Sequence, residues 1–246
     1  MIVGAPKTFS ELVGYTPRPY DAAQETHGTT VLALRYNEGA LVFADRRATM
    51  GNLIMYDAAE KVFALDDHTV VAISGSFARS LEICRLLKHS FKYYRRTQLS
   101  PMSLEGKLQE VSRALAQNLG MAMNGIGVFL PILAAFDPKT DEFSVYFFDT
   151  AGARFENGAF ATAGSGSQQI RGVFDYIAAT KGPFEKRKLE DVLEDGLHML
   201  KIAGDLDSAT SGLANNPPIV RVLDREGNRP VDPDLLQKLL KRTLKG

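Results

Sequence analysis

Apolar residues along the chain fall into short strand-length runs and longer helical stripes, and the two kinds alternate. Residues 29–36 are β-branched and apolar, Asn37-Glu38-Gly39 is a turn signal, and residues 40–45 form a second apolar run. This pattern predicts a hairpin. Residues 61–65 and 69–74 flank Asp66-Asp67 in the same manner and predict another. Several runs are apolar at successive positions, the signature of a sheet covered on both faces.

The middle of the chain is helical. Leu81, Cys84, Leu87 and Phe91 make one stripe; Leu104, Leu108, Val111, Leu115 and Leu119 make a second, with Ser100 as the expected N-cap and Pro101 at the first helical position. Strand character returns over 128–136 and 143–148, split by Asp137-Pro138-Lys139-Thr140. A turn at 151–153 leads to the small-residue stretch 160–163. Helices follow over 167–179, with Ile170, Val173 and Ile177 on one face, and over 187–203, with Leu189, Val192, Leu193, Leu197 and Leu200 on one face. Residues 218–223 read as a late strand, 225–228 as a turn, and 230–245 as a terminal helix capped by Asp232. Two sheets packed together with helices outside would bury all these faces.

Composition narrows the function classes. At 246 residues and 45% hydrophobic, the chain can bury one large core. Lys+Arg and Asp+Glu balance at 29 each, which argues against a general nucleic-acid or membrane-surface role. The mixed run Lys92-Tyr93-Tyr94-Arg95-Arg96 reads as a solvated helix end or a subunit contact. Cys84 is the only cysteine and falls on an apolar stripe, so it reads as a small buried hydrophobe in a chain suited to a reducing, cytoplasmic setting. No apolar stretch spans a bilayer, and residues 1–28, with Pro6, Pro17 and Pro19, lack the pattern of a secretory signal and read as a loosely structured leader. His27, His68, His89 and His198 have no zinc-ligand spacing, and there is no Gly-x-Ser-x-Gly elbow. No metal or cofactor is expected.

The chemistry centres on Gly28-Thr29-Thr30. A threonine hydroxyl is a weak nucleophile, but a chain cut before Thr29 would free an α-amine beside it. That amine has an ordinary pKa near ~8, against ~10.4 for lysine, so far more of it can accept a proton at neutral pH. Lys61 could favour the developing alkoxide, and Asp45 could be its carboxylate partner. Gly75, after an apolar strand, permits close approach of a backbone donor to an oxyanion. Two polar turns, 164–167 and 207–212, could hold hydroxyls near the amine.

Gly28-Thr29-Thr30, the stretch Asp45-Arg46-Arg47-Ala48-Thr49 with Gly51-Asn52, Lys61-Val62, Gly75 and the two polar turns occur in the order and approximate spacing of proteasome β subunits. The chain resembles the bacterial type from Gly28 to the terminal helix. That resemblance implies an α+β fold, the four-layer αββα sandwich of N-terminal nucleophile hydrolases. It implies a propeptide over 1–28, removed at the Gly28–Thr29 bond, and a peptidase domain over 29–246. It implies Thr29 as nucleophile with its freed amine as general base, and Asp45 with Lys61 as the charge pair lowering the hydroxyl's pKa. Ser165, Asp207 and Thr210 would hold the amine and a water, Gly75 would be the oxyanion donor, and Thr49 would bind the substrate backbone.

Three residues depart from the family pattern: Thr210 where serine is frequent, Ser211 where glycine is common, and Phe77 where a small residue is usual. Ala48, Ala59, Phe63, Ile73 and Phe77 would line an uncharged pocket that prefers apolar residues before the cleaved bond.

The resemblance also implies an endopeptidase acting on unfolded proteins through an acyl-enzyme, in a β ring stacked on α subunits and fed by an ATPase ring. The alternatives are an HslV-type peptidase subunit, which usually has almost no leader, and a non-catalytic ring component. The long leader, the C-terminal segment and the joint presence of Thr29, Asp45 and Lys61 favour the first reading.

Overall fold

The computed structural model describes residues 28–51, 53–214 and 216–245; the expected leader before Gly28, His27 and Asn52 lie outside the described residues. Twelve strands and five α-helices run through the described residues: β1 Thr30–Tyr36, β2 Gly39–Ala44, β3 Ala48–Met50, β4 Leu53–Tyr56, β5 Val62–Asp66, β6 Thr69–Ala72, α1 Phe77–Gln98, α2 Leu104–Met123, β7 Ile132–Asp137, β8 Glu142–Phe148, β9 Arg154–Asn157, β10 Phe160–Gly164, α3 Ser167–Lys181, α4 Leu189–Leu206, β11 Ile219–Asp224, β12 Gly227–Pro230 and α5 Pro233–Lys245.

The strands form two five-stranded antiparallel sheets, ordered β10-β1-β2-β11-β12 and β5-β6-β7-β8-β9, with β3-β4 as a separate hairpin. Strand alternation divides the core into three layers. Val31, Ala33, Val42 and Ala44 of the first sheet meet Val62, Val70, Ala72, Ile132 and Ala134 of the second. The opposite faces of the same strands carry the larger residues. Leu32, Leu34, Leu41 and Phe43 pack under Ile170 and Phe174 of α3, Leu193 and Leu197 of α4, and Leu239 of α5. Val71, Leu133, Ala135 and Phe148 pack under Ile83 and Leu87 of α1 and Leu108, Val111 and Leu115 of α2. The result is the expected αββα sandwich, and the continuous apolar runs of β1 and β2 follow from burial on both faces.

Both predicted hairpins form, β1 with β2 and β5 with β6. The cap of α2 differs: it is Ser103, whose hydroxyl accepts from the Gly106 N–H at 3.2 Å, while Ser100 and Pro101 lie in the connection after α1. A capping oxygen must reach an amide two or three residues on, and Ser103 stands at that spacing from the first turn. Asp232 caps α5 as expected, accepting from the Leu235 N–H at 3.1 Å, but residues up to Pro230 belong to β12 rather than to the helix. The β3–β4 hairpin, β9 and β12 add strands beyond those expected, and the small-residue stretch from Phe160 forms β10.

Candidate active site

The sandwich brings the ends of several strands to one place. Thr29 precedes β1, Asp45 follows β2 and Ser165 follows β10, all in the first sheet; Lys61 precedes β5 and Gly75 lies beyond β6 in the second. Asp207 and Thr210 follow α4. Thr29 is buried at 4% exposure, and its hydroxyl donates to the Gly28 carbonyl oxygen at 2.6 Å across the intact peptide bond.

Asp45 is fully buried and takes four donors. Its Oδ1 accepts from Lys61 Nζ at 2.7 Å and the Thr30 N–H at 2.9 Å; its Oδ2 accepts from the Arg47 N–H at 2.8 Å and the Ser211 N–H at 3.1 Å. Lys61 is equally buried and also donates to the Arg47 carbonyl at 2.5 Å, so two of its three protons are engaged. Sharing Asp45 Oδ1 places the ammonium one oxygen away from the amide that follows Thr29. Burial pulls the Lys61 ammonium below the usual lysine range, while the charge and hydrogen bond of Asp45 act the other way.

On the other side of Thr29 lies a set of hydroxyls around Asp207. The Thr29 N–H donates to Ser165 Oγ at 3.3 Å, Ser165 Oγ to Asp207 Oδ2 at 2.6 Å, and Thr210 Oγ1 to the same oxygen at 2.7 Å. The Ala209 N–H closes the turn on Asp207 Oδ1 at 3.1 Å.

Gly75 has φ +97°, and a Cβ there would lie 2.2 Å from the Val128 carbonyl oxygen, so only glycine fits. It faces Phe129 across an isolated antiparallel bridge in which the Leu130 N–H donates to the Ser74 carbonyl at 3.1 Å and the Ser76 N–H to the Val128 carbonyl at 2.7 Å. The Ser74–Gly75 peptide is trans, so with its carbonyl turned to Leu130 its N–H points the opposite way, to the side where Ile73 donates to the Lys61 carbonyl. The Gly75 amide is thus a donor aimed away from its own sheet neighbour.

Thr49 on β3 accepts the Gly28 N–H on its hydroxyl at 2.8 Å, so the chain entering the site is held where a substrate strand was expected. Of the expected pocket residues, Phe63, Ile73 and Phe77 meet in the cluster under α1, with Ile73 buried and Phe77 opening the helix. Ala48 lies on β3, and Ala59 is buried and donates its N–H to the Arg46 carbonyl at 2.9 Å. A cavity of about 500 Å³ between β5 and α1 touches this set only through Phe63.

Three contributors escaped the sequence reading. The Arg47 backbone holds both Asp45 and Lys61. Ser211, 1% exposed, donates its N–H to Asp45 and accepts the Arg46 N–H on Oγ at 3.1 Å. The hydroxyl of Thr30 meets Thr210 Oγ1 at 2.6 Å. Arg46-Arg47 directly after an acidic residue is the sequence signal for the first; the other two are visible only once the chain is folded. Among the described residues no three His, Cys, Asp or Glu side chains gather to hold a metal ion, and no helix is long and apolar enough to cross a membrane.

A profile of the family described as Proteasome subunit matches residues 25–215. Three proteins named Proteasome subunit beta are similar over most of their length. The one from Jonesia denitrificans is 35% identical over 216 residues, covering 87% of this chain and 69% of the relative. That from Acidimicrobium ferrooxidans is 34% identical over 220 residues, covering 88% and 78%. That from Acidothermus cellulolyticus is 34% identical over 227 residues, covering 89% and 76%.

Proposed function

The chain belongs to the proteasome subunit family, and on that premise we propose that it is the catalytic β subunit of a bacterial proteasome, a threonine endopeptidase made from an inactive precursor. The observation that carries this reading is the Thr29 hydroxyl resting 2.6 Å from the Gly28 carbonyl oxygen, with a buried ammonium, Lys61, paired to the carboxylate that also holds the Thr30 N–H.

Residues 1–28 are then a propeptide. The Thr29 hydroxyl gives up its proton as Oγ attacks the Gly28 carbonyl carbon, the carbonyl oxygen takes up the negative charge, and the Gly28–Thr29 C–N bond breaks as the leaving nitrogen takes up a proton in its place. The acyl group now sits on Oγ as an ester and the Thr29 amine is free. Water hydrolyses the ester, leaving a carboxylate on Gly28 and an active amino terminus.

In the mature subunit the amine takes the proton of the Thr29 hydroxyl as Oγ attacks a substrate carbonyl. The third proton of Lys61 favours the alkoxide, and the Gly75 N–H receives the oxyanion. The proton passes to the departing amine, and water then releases the acyl-enzyme. Asp45 holds Lys61; Ser165, Asp207 and Thr210 hold the amine; Thr49 holds the substrate backbone by strand addition, which makes binding largely indifferent to sequence. The pocket of Ala48, Ala59, Phe63, Ile73 and Phe77 is uncharged and favours apolar residues before the cleaved bond.

The working form is a β ring stacked on α subunits in the cytoplasm, supplied with unfolded chains by an ATPase ring. The separate β3–β4 hairpin supports assembly: Met50, Leu53, Ile54, Met55 and Tyr56 are all exposed on it, and such a patch calls for a neighbouring subunit. Amino-terminal sequencing of the assembled particle tests the reading directly. Wild type should begin at Thr29 and cleave a fluorogenic peptide ending in Leu. Thr29→Ala should keep its leader and be inert, and equal activity in the two would overturn the assignment.

A further inference from the structure

We infer that Thr30, the residue after the nucleophile, is a positioning residue: its hydroxyl anchors the hydrogen-bond chain that orients the catalytic amine. The inference rests on the peptidase reading above and adds a residue to it.

The argument is a count of protons. Each hydroxyl has one to give. Thr210 Oγ1 gives its proton to Asp207 Oδ2 at 2.7 Å, so in the 2.6 Å contact between Thr30 Oγ1 and Thr210 Oγ1 the donor is Thr30. Ser165 Oγ likewise spends its proton on Asp207 Oδ2 at 2.6 Å, and so presents only lone pairs to the Thr29 nitrogen 3.3 Å away. The chain therefore runs inward from both ends: Thr30 to Thr210 to Asp207, and Thr29 N–H to Ser165 to Asp207. Its two ends are consecutive residues, Thr29 just before β1 and Thr30 its first position.

That closure matters for the chemistry. Once the amine is free, one of its N–H bonds is directed to Ser165, and its lone pair is left to face its own side-chain hydroxyl. The direction persists only while Asp207 keeps accepting from Ser165. The Thr210 turn that carries Asp207 is tied to β1 through Thr30. Bonds in such chains polarise one another, so the outer one strengthens the inner ones.

The fold also makes room for this hydroxyl. Thr30 is fully buried, and a Cβ on Gly166 would lie 2.1 Å from Thr30 Oγ1 and 3.0 Å from Thr210 Oγ1. A β-branched residue at this strand position would satisfy packing with valine; the hydroxyl is what Gly166 and Thr210 accommodate.

The test uses the full-length chain purified in its assembled particle, with rates counted per exposed Thr29 amino terminus and a fluorogenic peptide ending in Leu as probe. Thr30→Val, which keeps the shape, should lower kcat about tenfold with KM within about twofold, while Thr30→Ser should stay within about threefold of wild type; one neutral hydrogen bond of ~1–1.5 kcal/mol corresponds to that range. A Thr30→Val particle with wild-type kcat overturns the inference, as do equal losses in Val and Ser, which would assign the effect to the missing methyl. If Thr30→Val does not assemble, Thr30→Ala is measured in its place. Failure of both, with Ser assembling, would assign Thr30 to folding and overturn the inference too. A wild-type particle with exposed termini and no turnover would instead refute the peptidase reading itself.

Discussion

Ala209 stands where a side chain on residue 28 would have to go. A Cβ built on Gly28 would lie 1.8 Å from Ala209 Cβ and 2.7 Å from its Cα and carbonyl oxygen. The residue before Thr29 is thus restricted by the far end of the Asp207 turn, which also holds the Thr29 nitrogen through Ser165.

Gly28→Ala should therefore displace the Gly28 carbonyl from the Thr29 hydroxyl and slow leader removal by at least about tenfold, the scale of a misplaced reacting group. Mass spectrometry of the purified subunit over time would follow this. Adding Ala209→Gly should restore part of the rate, because the Cβ collision is removed while the backbone contacts stay. Processing of Gly28→Ala at the wild-type rate would show that this contact does not control the reaction.

Lys61→Met should stop processing and destabilise the subunit. It leaves a buried carboxylate with three backbone N–H donors and no counter-charge, and breaking a buried pair costs about 3–5 kcal/mol. The backbone donors favour the lower end of that range. Denaturant unfolding of the unassembled subunit would measure it, and a loss below about 1 kcal/mol would mean the pair contributes little.

The pH dependence has a definite sign. Burial lowers the Lys61 pKa, and Asp45 raises it through charge and hydrogen bonding. Activity that needs the ammonium is lost as pH rises through that pKa. Asp45→Asn removes the carboxylate charge, the largest raising influence, and leaves burial and the Arg47 charge opposed only by the more distant charge of Asp207, so the alkaline limb of the residual pH–rate profile should move to lower pH. An unmoved limb, or one moved to higher pH, would exclude Lys61 as the group that titrates there.

The β3–β4 hairpin offers a test of assembly separate from chemistry. Ile54→Lys with Met55→Lys places two charges on a surface already half exposed, so the folded subunit should change by no more than about 0.5 kcal/mol. Native mass spectrometry should show the particle replaced by free subunits. Intact particles carrying both lysines would remove this hairpin from the subunit contacts.

Most of the layered core could be read in advance because burial on both faces leaves a strong mark: β1 and β2 are apolar at nearly every position, and α4 carries a clean stripe. The β3–β4 hairpin could not be read, because Leu53 to Tyr56 are all exposed and no alternation distinguishes their two faces. β9 and β12 are short edge strands with Arg154, Glu156, Asn228 and Arg229 among their residues, a composition shared with loops. At the site, Asp45 and Lys61 announced themselves as charges at strand ends. Thr30 stood out only as part of Gly28-Thr29-Thr30, with no role for its hydroxyl, and only the return of residue 210 from the other end of the chain gives that hydroxyl a partner.

The two sheets face each other largely through methyl-bearing residues such as Ala33, Ala44, Ala72 and Ala134. These side chains act as a spacer of fixed thickness. Thr29 hangs from one sheet and Lys61 from the other, so the gap that separates hydroxyl from ammonium is gauged by these alanines. Enlarging one of them would prise the halves of the site apart with every reacting group still present, and the harm would surface as slow turnover rather than as weak substrate capture.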